Sequence, residues 1–194
     1  MDLGRHADAR RYLTQAMELM AVSEDPIGVQ RQRLWLARLA AAEGDRPRAE
    51  REAKALLASI PPEGSDTMRL DVMRNLGMFR LEAGDAAGAR AWFEQALAVA
   101  QAMDDPRRSA QLHAWLAQTW VDSGDLAAAE RELALSAPEL AGDPLQFQVE
   151  AALLAARGDA AGALAREEAG RIASGQRWQA SDQARLDARK AATR

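Results

Sequence analysis

The 194 residues carry 25 Lys+Arg against 29 Asp+Glu, a formal net charge of -4, and no cysteine. That balance excludes a general phosphate-backbone binder, which would be basic, and the missing thiols exclude a disulfide framework or a thiolate metal site. Alanine, Leu, Arg, Glu and Gln dominate while aromatic residues make up only 5%, a composition that favours helix and argues against sheet.

No stretch approaches the roughly 18 apolar residues of a membrane span, and no signal peptide opens the chain. A cytoplasmic protein without membrane contact is therefore expected. Among the 25 basic residues only Lys54 and Lys190 are lysine. Such an Arg-and-Ala bias accompanies GC-rich genomes and points to a bacterial source.

Taken in order, the first element follows Gly4. Ala9, Tyr12, Leu13, Ala16, Met17 and Met20 recur at helical offsets and predict a helix over 5–22. Asp25-Pro26 is an N-cap followed by a proline already set at helical φ, so a helix over 26–43 follows. Gly44 ends it as the left-handed C′ residue, and Asp45 caps the next, over 46–59. Ser65 caps a helix over 66–83, which Gly84 ends. Ala89, Trp92, Phe93, Ala96, Leu97 and Ala100 then form one apolar stripe over 86–103. Asp105-Pro106 begins 106–123, with Leu112, Leu116 and Trp120 at i, i+4 and i+8 and Trp115 and Val121 beside them. Gly124 and Asp125 separate it from 126–137. Asp143-Pro144 begins 144–157, Gly158 ends it, and 160–173 follows. The last amphipathic stretch, 179–192, opens after Trp178 and carries Leu186.

These elements repeat. Gly4, Gly44, Gly84, Gly124 and Gly158 are 40, 40, 40 and 34 residues apart, and an alanine stands five residues after each: Ala9, Ala49, Ala89, Ala129 and Ala163. A fixed period of this length marks a repeat architecture. Each unit reads cap, helix A, Gly-Asp turn, helix B and loop. The five glycines are assigned as structural turns, and the recurrent alanine lets helix B approach helix A closely.

The stretch from Asn75 to Leu97, with Leu76 and Gly77 in helix A, Gly84 at the turn, Ala89 and then Phe93, resembles a tetratricopeptide repeat (TPR). Leu13 and Leu133 take the Phe93 place in other copies, and Ala53 takes it weakly. The 40-residue period is similar to the longer-helix variety found in scaffold proteins and in sensor regions of bacterial transcriptional activators. The resemblance covers residues 4 to about 174. It implies an all-α, right-handed TPR-like α-solenoid of antiparallel helix pairs. The organisation expected is one solenoid over 1–194: a half-repeat at 1–24, repeats at about 25–64, 65–104, 105–142 and 143–175, and a capping helix at 176–194. Gly4 has no helix A before it, so the chain is read as a fragment of a longer protein, or else its first helix docks on a partner or on a second copy. In the last repeat Glu167 stands at the aromatic position. The stripe Ala161, Leu164, Ala165, Ala169 and Ile172 then suggests a rotated unit or a terminal cap.

An enzyme is not expected. His6 and His113 are the only histidines and lie far apart in the chain. His113, beside apolar positions, reads as a satisfied semi-buried side chain. Gly-Asp-x-x-x-Ala lacks the Lys and Ser/Thr of a phosphate-binding loop, no acidic or histidine cluster has metal-ligand spacing, and no cofactor is implied. In the family, helix-A positions 13, 10, 9 and 6 residues before the turn glycine face the concave wall. The resemblance thus implies Arg31, Leu34, Trp35 and Arg38 in one unit, Asp71, Arg74, Asn75 and Met78 in the next, and Gln111, Ala114, Trp115 and Gln118 in the third. Of these, Arg31, Trp35, Arg38, Arg74, Asn75, Met78, Trp115 and Gln118 are the candidate partner-binding residues. Aromatics and arginines make binding hot spots, and arginine can fork onto a carboxylate or stack on a ring. Packing between repeats is the competing role for the tryptophans, and solvation is the competing role for each arginine. The family's Lys/Asn clamp for C-terminal carboxylates is not matched, since Arg38, Met78 and Gln118 occupy the Asn place. The function expected is non-catalytic capture of a peptide or protein segment, as the sensor or interaction region of a larger bacterial regulator. No direct nucleic-acid binding is expected. Two alternatives stand beside it: a small-molecule sensor that changes superhelix shape or self-association, and an oligomerisation scaffold using the first helix.

Overall fold

The computed structural model describes residues 3–61 and 65–192. Among them are ten α-helices: α1 (Leu3–Val22), α2 (Pro26–Ala42), α3 (Arg46–Ser59), α4 (Asp66–Glu82), α5 (Ala86–Ala102), α6 (Pro106–Ser123), α7 (Leu126–Ser136), α8 (Pro144–Ala156), α9 (Ala160–Ser174) and α10 (Ala180–Ala192). A 3₁₀ turn at Gly175–Arg177 precedes α10. The described residues contain no strand. The chain forms two compact units, Met1–Val99 and Ala100–Arg194.

Local chemistry sets the helix ends. The carboxylates of Asp25, Asp45, Asp85, Asp105, Asp125 and Asp159 each accept from the backbone N–H three residues on, at 2.8 to 3.1 Å. Asp143 caps Leu145 N–H at 3.0 Å. Ser65 makes no side-chain cap. Gly44, Gly84, Gly124 and Gly158 lie at φ between +79° and +89°, which a Cβ would strain. The aspartate after each donates its backbone N–H five residues back, as from Asp45 to Ala40 and from Asp85 to Arg80, both at 2.9 Å. That is the Schellman closure of a helix C-terminus.

Gly4 departs from the expected turn. It lies inside α1, which begins at Leu3. Its backbone there is helical, so it makes no left-handed turn.

Two returns from helix B to helix A, before Asp25 and before Asp105, use the same closure without glycine. Glu24 and Asp104 adopt φ +56° and +52°, a conformation that costs an L-residue roughly 1–2 kcal/mol. Glycine would remove that cost and add back about 0.5–1 kcal/mol of chain entropy. Asp104→Gly is therefore expected to stabilise the protein by about 0.5–1 kcal/mol, read from urea unfolding midpoints.

In the first unit α1 packs on α2, α2 on α3, and α4 on both α2 and α3. The core there joins Leu34, Ala37 and Ala40 of α2, Ala49, Ala53 and Leu56 of α3, and Met68, Val72, Leu76 and Phe79 of α4. Ala49 and Ala89, at the recurrent position, are fully buried. Phe93 is also fully buried, and a Cβ built on Gly77 would lie 2.4 Å from its ring. The small residue in helix A thus makes the seat for the aromatic of helix B. Tyr12 does not join the apolar stripe of α1; it is 62% exposed, while Leu13, Ala16, Met17 and Met20 are half-buried.

In the second unit α6 pairs with α7 and α8, α8 with α9, and α9 with α10. Its core includes Ala110, Ala114, Ala117, Ala129, Leu133, Leu140, Val149 and Leu153. The last repeat is not rotated. Ala163, Glu167, Gly170 and Ser174 are the buried face of α9, in register with the other units, whereas Ile172 is 75% exposed. A carboxylate can hold the aromatic's place because α10 brings counter-charge to it. Arg185 Nε stands 2.9 Å and Arg189 Nε 3.1 Å from the Glu167 carboxylate, which is fully buried.

Ion pairs also join successive helix pairs within each unit. The residues six after Gly4, Gly44 and Gly124 each meet a charge near the end of the next helix A. Glu50 pairs with Arg80, Glu130 with Arg157, and Arg10 with Glu43, the last with its signs inverted. Arg80 also reaches Asp85 at 3.0 Å. Bonds from Lys54 and then Arg80 hold the Glu50 carboxyl below its ordinary range, and the Gly88 N–H followed by Arg80 does the same for Asp85. A carboxylate whose folded pKa is depressed stabilises the fold above its unfolded value and loses that contribution as pH falls through the folded one. The network is thus at full strength above the ordinary values of 4.5 and 3.8 and fades below them. Arg80→Ala is expected to lower the thermal midpoint at pH 7, with wild type and variant converging as the pH falls below those ordinary values.

Candidate functional site

The candidate residues of the first unit lie on α2 and α4. Trp35 is 45% exposed, because its neighbours Leu34 and Ala37 are the ones turned into the core. Arg38, one turn further on, is exposed and lies with its guanidinium carbon 4.2 Å from the Trp35 ring centroid. This is a cation–π stack. Arg31, one turn before Trp35, is also exposed. On α4, Arg74 is half-buried and reaches the Asp71 carboxylate at 3.5 Å, a long contact. Partial burial, and then the nearby Arg74, pull the Arg38 pKa below its ordinary value, with Asp71 opposing. Met78 is half-buried.

Asn75 does not share that face. It is 3% exposed, and its amide donates to the Asp71 carbonyl at 2.6 Å. The bond runs back one turn along its own helix and satisfies the amide without a partner. Leu34 is buried as well.

In the second unit Trp115 is half-buried. It lines a depression of about 430 Å³ together with Pro144, Leu145 and Gln148 of α8 and with Arg177 and Arg185 from the C-terminal segment. Gln118 donates to Asp122 at 2.8 Å along its own helix. Ala114 is buried. His113 Nδ1 lies 2.7 Å from the Glu132 carboxylate, joining α6 to α7.

Sequence reasoning did not identify a second cavity, of about 530 Å³, framed by α1, α2 and α3. Arg10, Met17, Arg33, Leu36 and Arg48 line it. Its arginines already have partners: Glu43 for Arg10, Ser59 for Arg33 at 3.1 Å, and Glu52 for Arg48 at 2.6 Å. Each lies on a different helix face, so no single stripe in the sequence announces the cavity. Among the described residues no group of three or more His, Asp or Glu side chains could hold a metal ion, and no helix is long and apolar enough to cross a membrane.

No protein-family model and no curated protein matches the sequence. Solved structures do match. BtubC (BKLC) from P. vanneervenii superposes with a TM-score of 0.67 at 20% identity, covering 94% of this chain and 77% of that one. The nearly identical TPR-like repeats of a Podosopora anserina protein assigned as a kinesin light chain give 0.58 at 20%, covering 91% and 90%. The Cut9-Hcn1 hetero-tetramer of APC/C gives 0.59 at 14%, covering 96% and 40%. Likeness at such low identity speaks to the fold, and with the capped, glycine-punctuated helix pairs described above it makes this chain an all-α protein of the TPR-like repeat fold.

Proposed function

We propose that the chain is a non-catalytic protein- or peptide-binding module. In this reading the solvent-facing side of its helix A elements captures a peptide segment, and the chain serves as the sensor or interaction region of a larger bacterial regulatory protein in the cytoplasm. The observation that carries the reading is Trp35, 45% exposed with Arg38 stacked on it. An exposed ring with an exposed guanidinium stacked on it offers an apolar anchor and hydrogen-bond donors to a partner without prior rearrangement. The Cut9-Hcn1 assembly of APC/C, a hetero-tetramer with this fold, lends support. Peptides selected on the wild-type chain from a displayed random library are expected to lose at least tenfold in affinity on Trp35→Ala/Arg38→Ala. Unchanged binding would remove this face from the function. The two side chains are solvent-facing, so the double variant is expected to keep its fold.

Two other readings each have an observation behind them. The depression beside Trp115 favours a small-molecule sensor. Saturable calorimetric heat with a metabolite, and no captured protein, would support it. The exposed Tyr12, Leu19 and Val22 of α1 favour self-association through the first helix. Sedimentation with and without residues 1–24 tests that: a monomer in both cases excludes it.

A further inference from the structure

α10 is attached in an unusual way. Asp182, Arg185, Leu186, Arg189 and Lys190 fall at i, i+3, i+4, i+7 and i+8 and form one face of the helix. Of these only Asp182 and Leu186 are buried, so apolar anchoring comes down to one leucine. Around that leucine stand ion pairs. Arg185 and Arg189 converge on Glu167, Lys190 reaches Glu168 at 3.1 Å, and Arg185 also holds Asp182 at 3.1 Å. The receiving surface on α9 thus presents two adjacent carboxylates. The deeper one, Glu167, stands where Phe93 and Leu133 stand in other units. An apolar residue there would serve a permanent core as well or better. A buried carboxylate instead selects what lies over it, since any covering element without positive charge leaves it stranded.

We infer that this α9 surface is an exchangeable helix-docking site. α10 is its resident occupant, and a basic amphipathic helix carrying Arg-Leu-x-x-Arg is the partner it fits. Charge complementarity and the seated α10 define that partner: two guanidiniums one turn apart straddle Glu167 while the leucine between them fills the apolar seat. The short Gly175–Arg177 turn tethers α10, so a partner helix competes with a ligand held at high effective concentration. This site is separate from the Trp35 face and does not depend on it.

Two measurements on the full chain test the inference. Hydrogen exchange of the wild type is expected to show the α10 amides at least tenfold less protected than those of α8 and α9, and Glu167→Gln is expected to lower α10 protection by a further tenfold while leaving α4 unchanged. In the second, a fluorescent synthetic peptide of residues 178–192 is added to the chain bearing Arg185→Ala/Arg189→Ala. It is expected to bind this chain at least tenfold more tightly than wild type, whose own α10 occupies the site. The same peptide with both arginines replaced by alanine is expected not to bind. The proposal is overturned if α10 exchanges as slowly as α9, if the peptide binds both chains equally, or if it binds neither. A wild-type chain that sediments as a dimer through exchanged α10 would assign the site to a second copy and overturn it as well.

Discussion

Replacing Arg185 and Arg189 together with alanine is expected to release α10 rather than to unfold the molecule. The double change leaves the Glu167 carboxylate, fully buried in the wild type, without counter-charge, a situation that costs about 3–5 kcal/mol. Against that, the buried Leu186 supplies about 1.5–3 kcal/mol. The penalty exceeds the anchor, so the cheaper response is for the helix to leave and for water to reach Glu167. Helical circular dichroism should fall by an amount close to the 13 residues of α10 while the main thermal transition persists. Limited proteolysis should then cut between residues 175 and 192 and nowhere else at the same rate. A variant whose far-ultraviolet signal and cleavage pattern match wild type would show that Glu167 does not need the arginines.

Phe93→Ala is expected to cause the largest loss of global stability, about 3–5 kcal/mol. Phe93 is fully buried, and its ring lies against Gly77, where helix A has no side chain at all. Truncation leaves a cavity that the facing helix cannot fill. The opposite error, Gly77→Ala, puts a Cβ 2.4 Å from the ring and is expected to cost about 1–3 kcal/mol through displacement of Phe93. The two are coupled through one contact, so their effects should not add. In the Phe93→Ala background, Gly77→Ala should cost nothing measurable or recover part of the loss, because the added methyl occupies the vacated space. Urea unfolding of the four members of the cycle checks this. Strict additivity would mean that the two residues do not share the contact.

Helix positions were legible in the sequence because they are set by local chemistry. A carboxylate three residues before an N–H and a glycine that can turn left-handed do not depend on the rest of the chain. Asp25, Asp105 and Gly84 could therefore be placed from sequence alone. Gly4 could not, because the same residue inside a helix leaves the same letter in the sequence. Ranking faces was harder. Asn75 and Trp35 occupy the same place in successive units, yet one is buried and self-bonded and the other exposed, since neighbouring helices decide which side of α4 remains open. Glu167 misled more. Its charge argued for a shifted stripe, and only the two arginines arriving from α10 make it a core residue. Pairs so distant in sequence carry no periodic signature. The same holds for the salt bridges between helix pairs, whose partners are about 30 residues apart.

Those bridges carry an implication for how the chain can be rearranged. At equivalent places the pair is acid then base in Glu50–Arg80 and Glu130–Arg157, but base then acid in Arg10–Glu43. Moving the helix that bears Arg10 ahead of α4, which bears Arg80 in its last turn, would set two cations against each other, and the reverse shuffle would oppose Glu50 and Glu43. The first junction is therefore keyed differently from the other two: its segments cannot trade places with theirs without bringing like charges together at the seam.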